Sequence, residues 1–202
     1  MKRAIFASAA VLVIAGLVAA PAAAAGKINF GLKAGVSLSN VAWGALDDGS
    51  EKNLVRPTFG AFAVFGLSPT LAIQPEINYL VTGEWWYDGS DKIVEAFTYL
   101  QIPVLLKIRL MEEGKFIPVV FAGPAVMFLL SAKETGVDVK EFFKSTDFGL
   151  DFGLGGEIAA GNMKAVLDAR FYLGLTNAYK ADPEFPFSMK NRAFSFTVGL
   201  LF

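Results

Sequence analysis

Eight charged side chains stand at alternating positions in otherwise apolar stretches: Lys33, Glu76, Lys107, Arg109, Asp151, Glu157, Asp168 and Arg170. Four are cations and four are anions, so a compartment holding all of them is neutral. Such a set could relay protons or ions, or could pair and fill space. Pairing is the stronger expectation, because an unpaired buried ion costs several kcal/mol. The chemistry they exclude is sharper. The 202-residue chain contains no histidine and no cysteine, which removes Ser-His-Asp triads, histidine acid–base schemes and thiol nucleophiles. Carboxylate-only catalysis would fall to Asp47 and Asp48 or to Asp88 and Asp91, yet Asp47-Asp48-Gly49-Ser50 and Asp88-Gly89-Ser90-Asp91 read first as turns. The acidic sets Asp47, Asp48, Glu51 and Glu84, Asp88, Asp91, Glu95 lack EF-hand spacing. Gly153, Gly155 and Gly156 have no following helix to make a phosphate loop; they read instead as sites of curvature or of close approach by Tyr172. No catalytic residue, metal site or cofactor is assigned, and the chain is not expected to be an enzyme.

The elements that position these charges are strands. Side chains alternate between two faces of a strand, and reading for that period gives eight segments: 28–39, 56–67, 71–83, 96–110, 116–131, 148–160, 164–175 and 192–202. Leu71, Ile73, Ile77, Tyr79 and Val81 oppose Gln74, Glu76, Asn78 and Thr82; Leu100, Ile102, Val104, Leu106 and Ile108 oppose Gln101, Lys107 and Arg109. The second and fifth segments are apolar on both faces, so periodicity leaves their facing open. Connections alternate between about 12–16 and about 3–5 residues, with Ser68–Thr70, Met111–Lys115 and Gly161–Met163 as the short ones. Compact domains rarely carry so many long connections, whereas outer-membrane barrels combine tight turns at one end with longer loops at the other.

The two ends of the sequence set the compartment. Lys2 and Arg3, then a mostly apolar run to Ala20, then Pro21 and four alanines, read as an export signal cleaved after about Ala25. The mature chain would run from residue 26 to 202 as one domain. Removing Lys2 and Arg3 from 18 basic residues leaves 16 against 19 acidic ones, a net charge of −3. That balance makes nucleic acid an unsuitable partner. No 18-residue apolar run follows residue 25, so a chain that crosses a bilayer must do so as a closed barrel. The last strand ends Phe194, Phe196, Val198, Leu200, Phe202 on one face, a terminal-aromatic pattern read as an assembly signal for barrel insertion. Trp85, Trp86 and Tyr87, together with Phe202, read as membrane-interface aromatics, since amphipathic rings favour that level.

The chain resembles a known group on the strength of Gly31-Leu-Lys33-Ala-Gly35-Val-Ser37, Pro75-Glu76-Ile-Asn-Tyr79 with Gly83, Tyr99-Leu-Gln-Ile-Pro103-Val-Leu-Leu-Lys107, Ala122-Gly123-Pro124 and Gly153-x-Gly155-x-Glu157. These residues make it similar to the small outer-membrane β-barrel domain family that includes PorT-like and OmpX-like eight-stranded barrels. The resemblance implies a fold and no particular activity.

The expectation is therefore an all-β protein: an eight-stranded antiparallel up-and-down transmembrane β-barrel of the bacterial outer membrane, with both termini in the periplasm. Its expected role is structural or interactive, through four long extracellular loops, with a salt-bridge-plugged lumen. A narrow conduit for small or apolar molecules and a secreted lipocalin-like barrel are the alternatives. Expected partners are outer-membrane lipids and lipopolysaccharide, and the barrel-assembly machinery; the sequence leaves the partner of the loops open. Within the plug, Glu76, Glu157 and Asp168 are each expected to pair with one of Lys33, Lys107, Arg109 or Arg170.

Overall fold

A computed structural model describes residues 28–42, 52–180 and 188–202. The expected export segment 1–25, the residues Asp47, Asp48 and Glu51, and the start of the mature chain lie outside the described residues. The strands are β1 (Ile28–Ala42), β2 (Lys52–Gly66), β3 (Leu71–Asp88), β4 (Asp91–Arg109), β5 (Phe116–Glu134), the two-residue β6 (Val137–Asp138), β7 (Thr146–Ala160), β8 (Met163–Gly174) and β9 (Lys190–Leu201). Every pairing is antiparallel, in the order β4-β3-β2-β1-β9-β8-β7-β5, and β4 pairs with β5 to close the ring. The result is an eight-stranded barrel, with β6 appended to the upper end of β5.

Closure joins the first and last strands. Gly31 to Ala42 runs antiparallel to Leu201 back to Lys190. The Phe202 N–H donates to the Phe30 carbonyl at 2.8 Å, and the Phe30 N–H donates to the Phe202 carbonyl at 3.0 Å. The terminal residue is thus the last rung of the seam. Deleting Phe202 removes both bonds and an outward aromatic ring, so the deletion is expected to lower the yield of the compact, heat-modifiable band on a gel. A wild-type yield of that band would refute the assembly-signal reading.

Facing follows the alternation, and it is the inverse of a soluble ligand-binding barrel. Ile77, Leu106, Leu154, Phe196, Val198 and Leu200 are exposed on the outer wall, whereas Lys33, Glu76, Lys107, Asp151, Glu157 and Arg170 are buried inside. A wall with an apolar exterior and a polar interior suits lipid outside. Val104 lies on the outer face beside Pro75 but is only 5% exposed, whereas Ile77 is 55% exposed and is the better probe of that wall.

The two strands that are apolar on both faces are also resolved. On β2, Thr58, Phe62 and Val64 face in and Val55 and Phe59 face out; on β5, Ile117, Val119, Phe121 and Met127 face in and Phe116, Val120 and Phe128 face out. Their inward apolar residues pack the lumen. Phe121 lies under the Arg170 guanidinium at 5.1 Å, and Phe62 lies 5.8 Å from the Lys33 ammonium. Gly153 makes room for this packing: a Cβ there would stand 2.8 Å from the Phe121 ring. Gly149, rather than the three glycines singled out above, is the one set against the Tyr172 ring, at 2.6 Å from a hypothetical Cβ.

One loop expectation is corrected. Residues 84–95 form no long connection, because β3 and β4 continue as a paired hairpin to Asp88 and Asp91 around the turn at Gly89-Ser90. The strand period persists through Trp85 to Tyr87 and Lys92 to Val94, so the ladder keeps its pairing above the rest of the wall. Glu84 and Glu95, read above as loop acids, are buried and face each other across this hairpin.

Candidate functional site: the ion-paired lumen

Alternation on five strands brings the charged residues into one interior. On β3, Gln74, Glu76 and Asn78 share the inward face; on β8, Lys164, Asp168, Arg170 and Tyr172 do so. β3 and β8 are four steps apart in the eight-membered ring, on opposite walls. Contact between them crosses the full lumen.

Glu76 is the hub. Its carboxylate accepts two hydrogen bonds from Arg170, from Nη1 at 2.7 Å and Nη2 at 2.8 Å, and one from Lys33 Nζ at 2.7 Å. Gln74 Nε2 and Asn78 Nδ2 complete its shell at 2.7 and 2.9 Å. A planar fork meeting a carboxylate in two parallel bonds is the strong form of this contact. Asp151 approaches Arg170 Nη1 at 3.7 Å. Neither Asp151 carboxylate oxygen has a hydrogen-bond partner among the described residues, and the same holds for Asn78 Oδ1 and Gln101 Nε2.

A second hub lies nearer the short-turn end. Glu157 is met by Lys107 at 2.9 Å, by Arg109 Nε at 3.2 Å and by Lys164 at 2.9 Å. Gln74 joins the two hubs, because its Oε1 accepts from Lys107 Nζ at 3.1 Å while its Nε2 donates to Glu76. The chain of contacts therefore runs without a break from Asp151 through Arg170, Glu76, Gln74 and Lys107 to Glu157 and Lys164. Low effective dielectric strengthens each of these contacts.

Asp168 departs from the expectation. It is 6% exposed and faces inward, but it makes no ion pair among the described residues. The nearest cations are already committed: Arg170 spends both terminal nitrogens on Glu76, and Lys33 bonds the same carboxylate. Periodicity identified the inward face of β8 but not which acid would win those cations. Lys164, Gln74, Asn78 and Gln101 were missed as members of the cluster. The signal was present, since Lys164 shares parity with Asp168 and Arg170, and Gln74 and Asn78 flank Glu76 on its own face.

Above the ions the lumen carries an uncharged-donor layer around Asp147. Asp147 accepts from Asn191 Nδ2 at 2.9 Å and from the Tyr172 hydroxyl at 3.3 Å. Asn191 also donates to the Tyr99 hydroxyl at 3.2 Å and accepts from Thr82 at 2.8 Å. Leu80, Phe97, Met127, Leu129, Phe143 and Met189 close over this layer as an apolar cluster. Of the aromatics beyond it, Trp85 is flanked by two ammonium groups, Lys92 at 4.0 Å and Lys52 at 4.9 Å from its ring centre, and Tyr87 packs edge-on against it.

Comparison with known proteins adds the following. A family model described as "Outer membrane protein beta-barrel domain" matches residues 19–180. No curated protein matches the sequence. Among solved structures, the chain is similar to Neisserial surface protein A at a TM-score of 0.55 and 13% identity, over 86% of this chain and 97% of that one. It is similar to the outer membrane protein OprG from Pseudomonas aeruginosa at a TM-score of 0.50 and 11% identity, over 86% of this chain and 94% of that one. Identities this low speak for the fold alone.

Proposed function

The chain belongs to the outer membrane protein β-barrel domain family, and from that premise we propose that it is an outer-membrane scaffold whose lumen is plugged by its own ion pairs. Its role on this reading is structural or interactive: it presents loops from the long-connection end of the barrel to the cell exterior and keeps both termini in the periplasm. The observation that carries the reading is the bidentate Arg170–Glu76 contact between opposite walls, at 2.7 and 2.8 Å. A side-chain bridge across the diameter leaves no straight water path at that level, and an eight-stranded interior is just wide enough to be filled this way. The partners proposed are lipids and lipopolysaccharide around the wall, and the assembly machinery at the terminal strand from Phe194 to Phe202. No enzymatic role and no cofactor enter the proposal.

Two measurements test it. In planar bilayers the wild-type barrel is expected to give no steady single-channel conductance; reproducible ohmic steps would favour a conduit. Because the chain lacks cysteine, single Ser90→Cys and Ser68→Cys variants report orientation. A membrane-impermeant maleimide should label the cysteine at position 90, at the hairpin tip, in intact cells and leave the one at position 68, in a short turn, unlabelled until the outer membrane is opened. The reverse pattern would invert the barrel.

A further inference from the structure

We propose that the short-turn mouth of the lumen is an oxyanion-binding pocket in which Arg109 and Lys164 hold a phosphate group. The pocket has a volume of about 210 Å³ and is lined by Asn29, Ser68, Arg109, Glu112 and Lys164 among others. Its charge is unbalanced. Lys107, Arg109 and Lys164 all converge on the single carboxylate of Glu157, so three positive charges face one negative; Asp168, deeper on the inward face of β8 and without an ion pair among the described residues, offsets one more and leaves +1. Glu112 subtracts one from the rim, but it stands exposed in the turn, where water screens it.

The donors are also underused. Arg109 spends only its Nε on Glu157. Its two terminal nitrogens have no partner among the described residues, which leaves the guanidinium fork available. Lys164 bonds Glu157 with one of three ammonium protons, and its side chain is 39% exposed, so it faces both the buried carboxylate and the opening. A fork beside a point charge is the pairing that recognises phosphate: the guanidinium matches two oxygens of one group and the ammonium takes a third. The low-dielectric wall focuses the field of these charges into the mouth. At about 30 Å³ per water, the pocket has room for a hydrated oxyanion and not for a folded peptide. The group could belong to a free phosphate or to a lipid headgroup at the membrane surface.

This inference goes beyond the plug, since it needs the mouth alone and would stand even if the lumen above conducted. The barrel, folded in a phosphate-free maltoside detergent, is titrated with inorganic phosphate against chloride of equal ionic strength while its unfolding midpoint is followed. Phosphate should raise the midpoint saturably and chloride should not. Lys164→Gln should weaken that response about tenfold or more, the loss expected for one charge-assisted hydrogen bond. Asn29→Asp, which adds a negative charge to the rim without touching the Glu157 pairs, should weaken it too, and Arg192→Gln, away from the mouth, should leave it unchanged. Native mass spectrometry with phosphatidylglycerol and with diacylglycerol distinguishes the sources: selective retention of phosphatidylglycerol that is lost in Lys164→Gln assigns a headgroup, and a phosphate response alone assigns a free ion. If wild type, Lys164→Gln and Asn29→Asp respond alike to both probes, the pocket is not an anion site.

Discussion

Glu76→Ala is expected to be the most damaging single substitution in this barrel, at roughly 3–5 kcal/mol of lost stability, the usual range when one partner of a buried ion pair is removed. Five hydrogen bonds end on this carboxylate: two from Arg170 and one each from Lys33, Gln74 and Asn78. The alanine deletes all five acceptor contacts and strands two cations whose side chains are 7% and 4% exposed. Asp151, at 3.7 Å from Arg170, and the inward but unpaired Asp168 remain as partial compensation. Glu76→Gln should fall between wild type and alanine, because the amide oxygen still accepts while the charge is gone. A combined Lys33→Met, Glu76→Leu, Asp151→Asn, Asp168→Asn, Arg170→Met variant, which leaves no cation or carboxylate unpaired at this level, should recover most of the loss, since uncharged groups often replace a whole buried ion network without penalty. Urea unfolding of the barrel in lipid vesicles, read by the compact band on a gel, measures all three. A wild-type midpoint for Glu76→Ala would mean that water reaches the cations, and would remove the support for a plug.

Much of this arrangement was legible in the sequence because a barrel wall enforces period two on every strand. The inward parity of Lys33, Glu76, Lys107, Asp151, Glu157 and Arg170 needs nothing but alternation against an apolar partner face. β2 and β5 resisted the same reading for a physical reason. A lumen narrow enough to be filled by its own side chains has apolar layers as well as polar ones, so Phe62, Val64, Phe121 and Met127 occupy inward positions that carry no polar signature. The charges of the upper hairpin suggest a solvated loop, although Glu84 and Glu95 keep the inward parity of their strands. Pairing within the lumen was harder to read than facing. Which acid captures Arg170 depends on the stagger between opposite walls, a quantity set by the barrel as a whole and absent from any one strand.

The outer wall gives the second large expectation. Ile77→Arg should cost about 2–4 kcal/mol, the range for a cation placed on the lipid face near the bilayer midplane. Ile77 lies six residues above Leu71 on β3; at about 2.5 Å of rise per residue for a tilted strand, that is roughly 15 Å up a band some 25 Å tall. It is 55% exposed and alternates with Glu76 and Asn78, so its side chain has no route into the polar lumen. Tyr87 is 58% exposed and ten residues higher on the same strand, beyond the band. Tyr87→Arg should therefore cost at most about 1 kcal/mol, the value near an interface. The contrast matters more than either number, because similar exposure with different cost identifies lipid, rather than water, as the medium at Ile77. Brominated lipid supplies an independent reading. In a background with Trp43, Trp85 and Trp86 changed to Phe, Ile77→Trp should be strongly quenched by bromines deep in the acyl chains and Tyr87→Trp should not. Equal costs for the two arginines, or an unquenched tryptophan at position 77, would place this wall in water and overturn the transmembrane setting on which the plug depends.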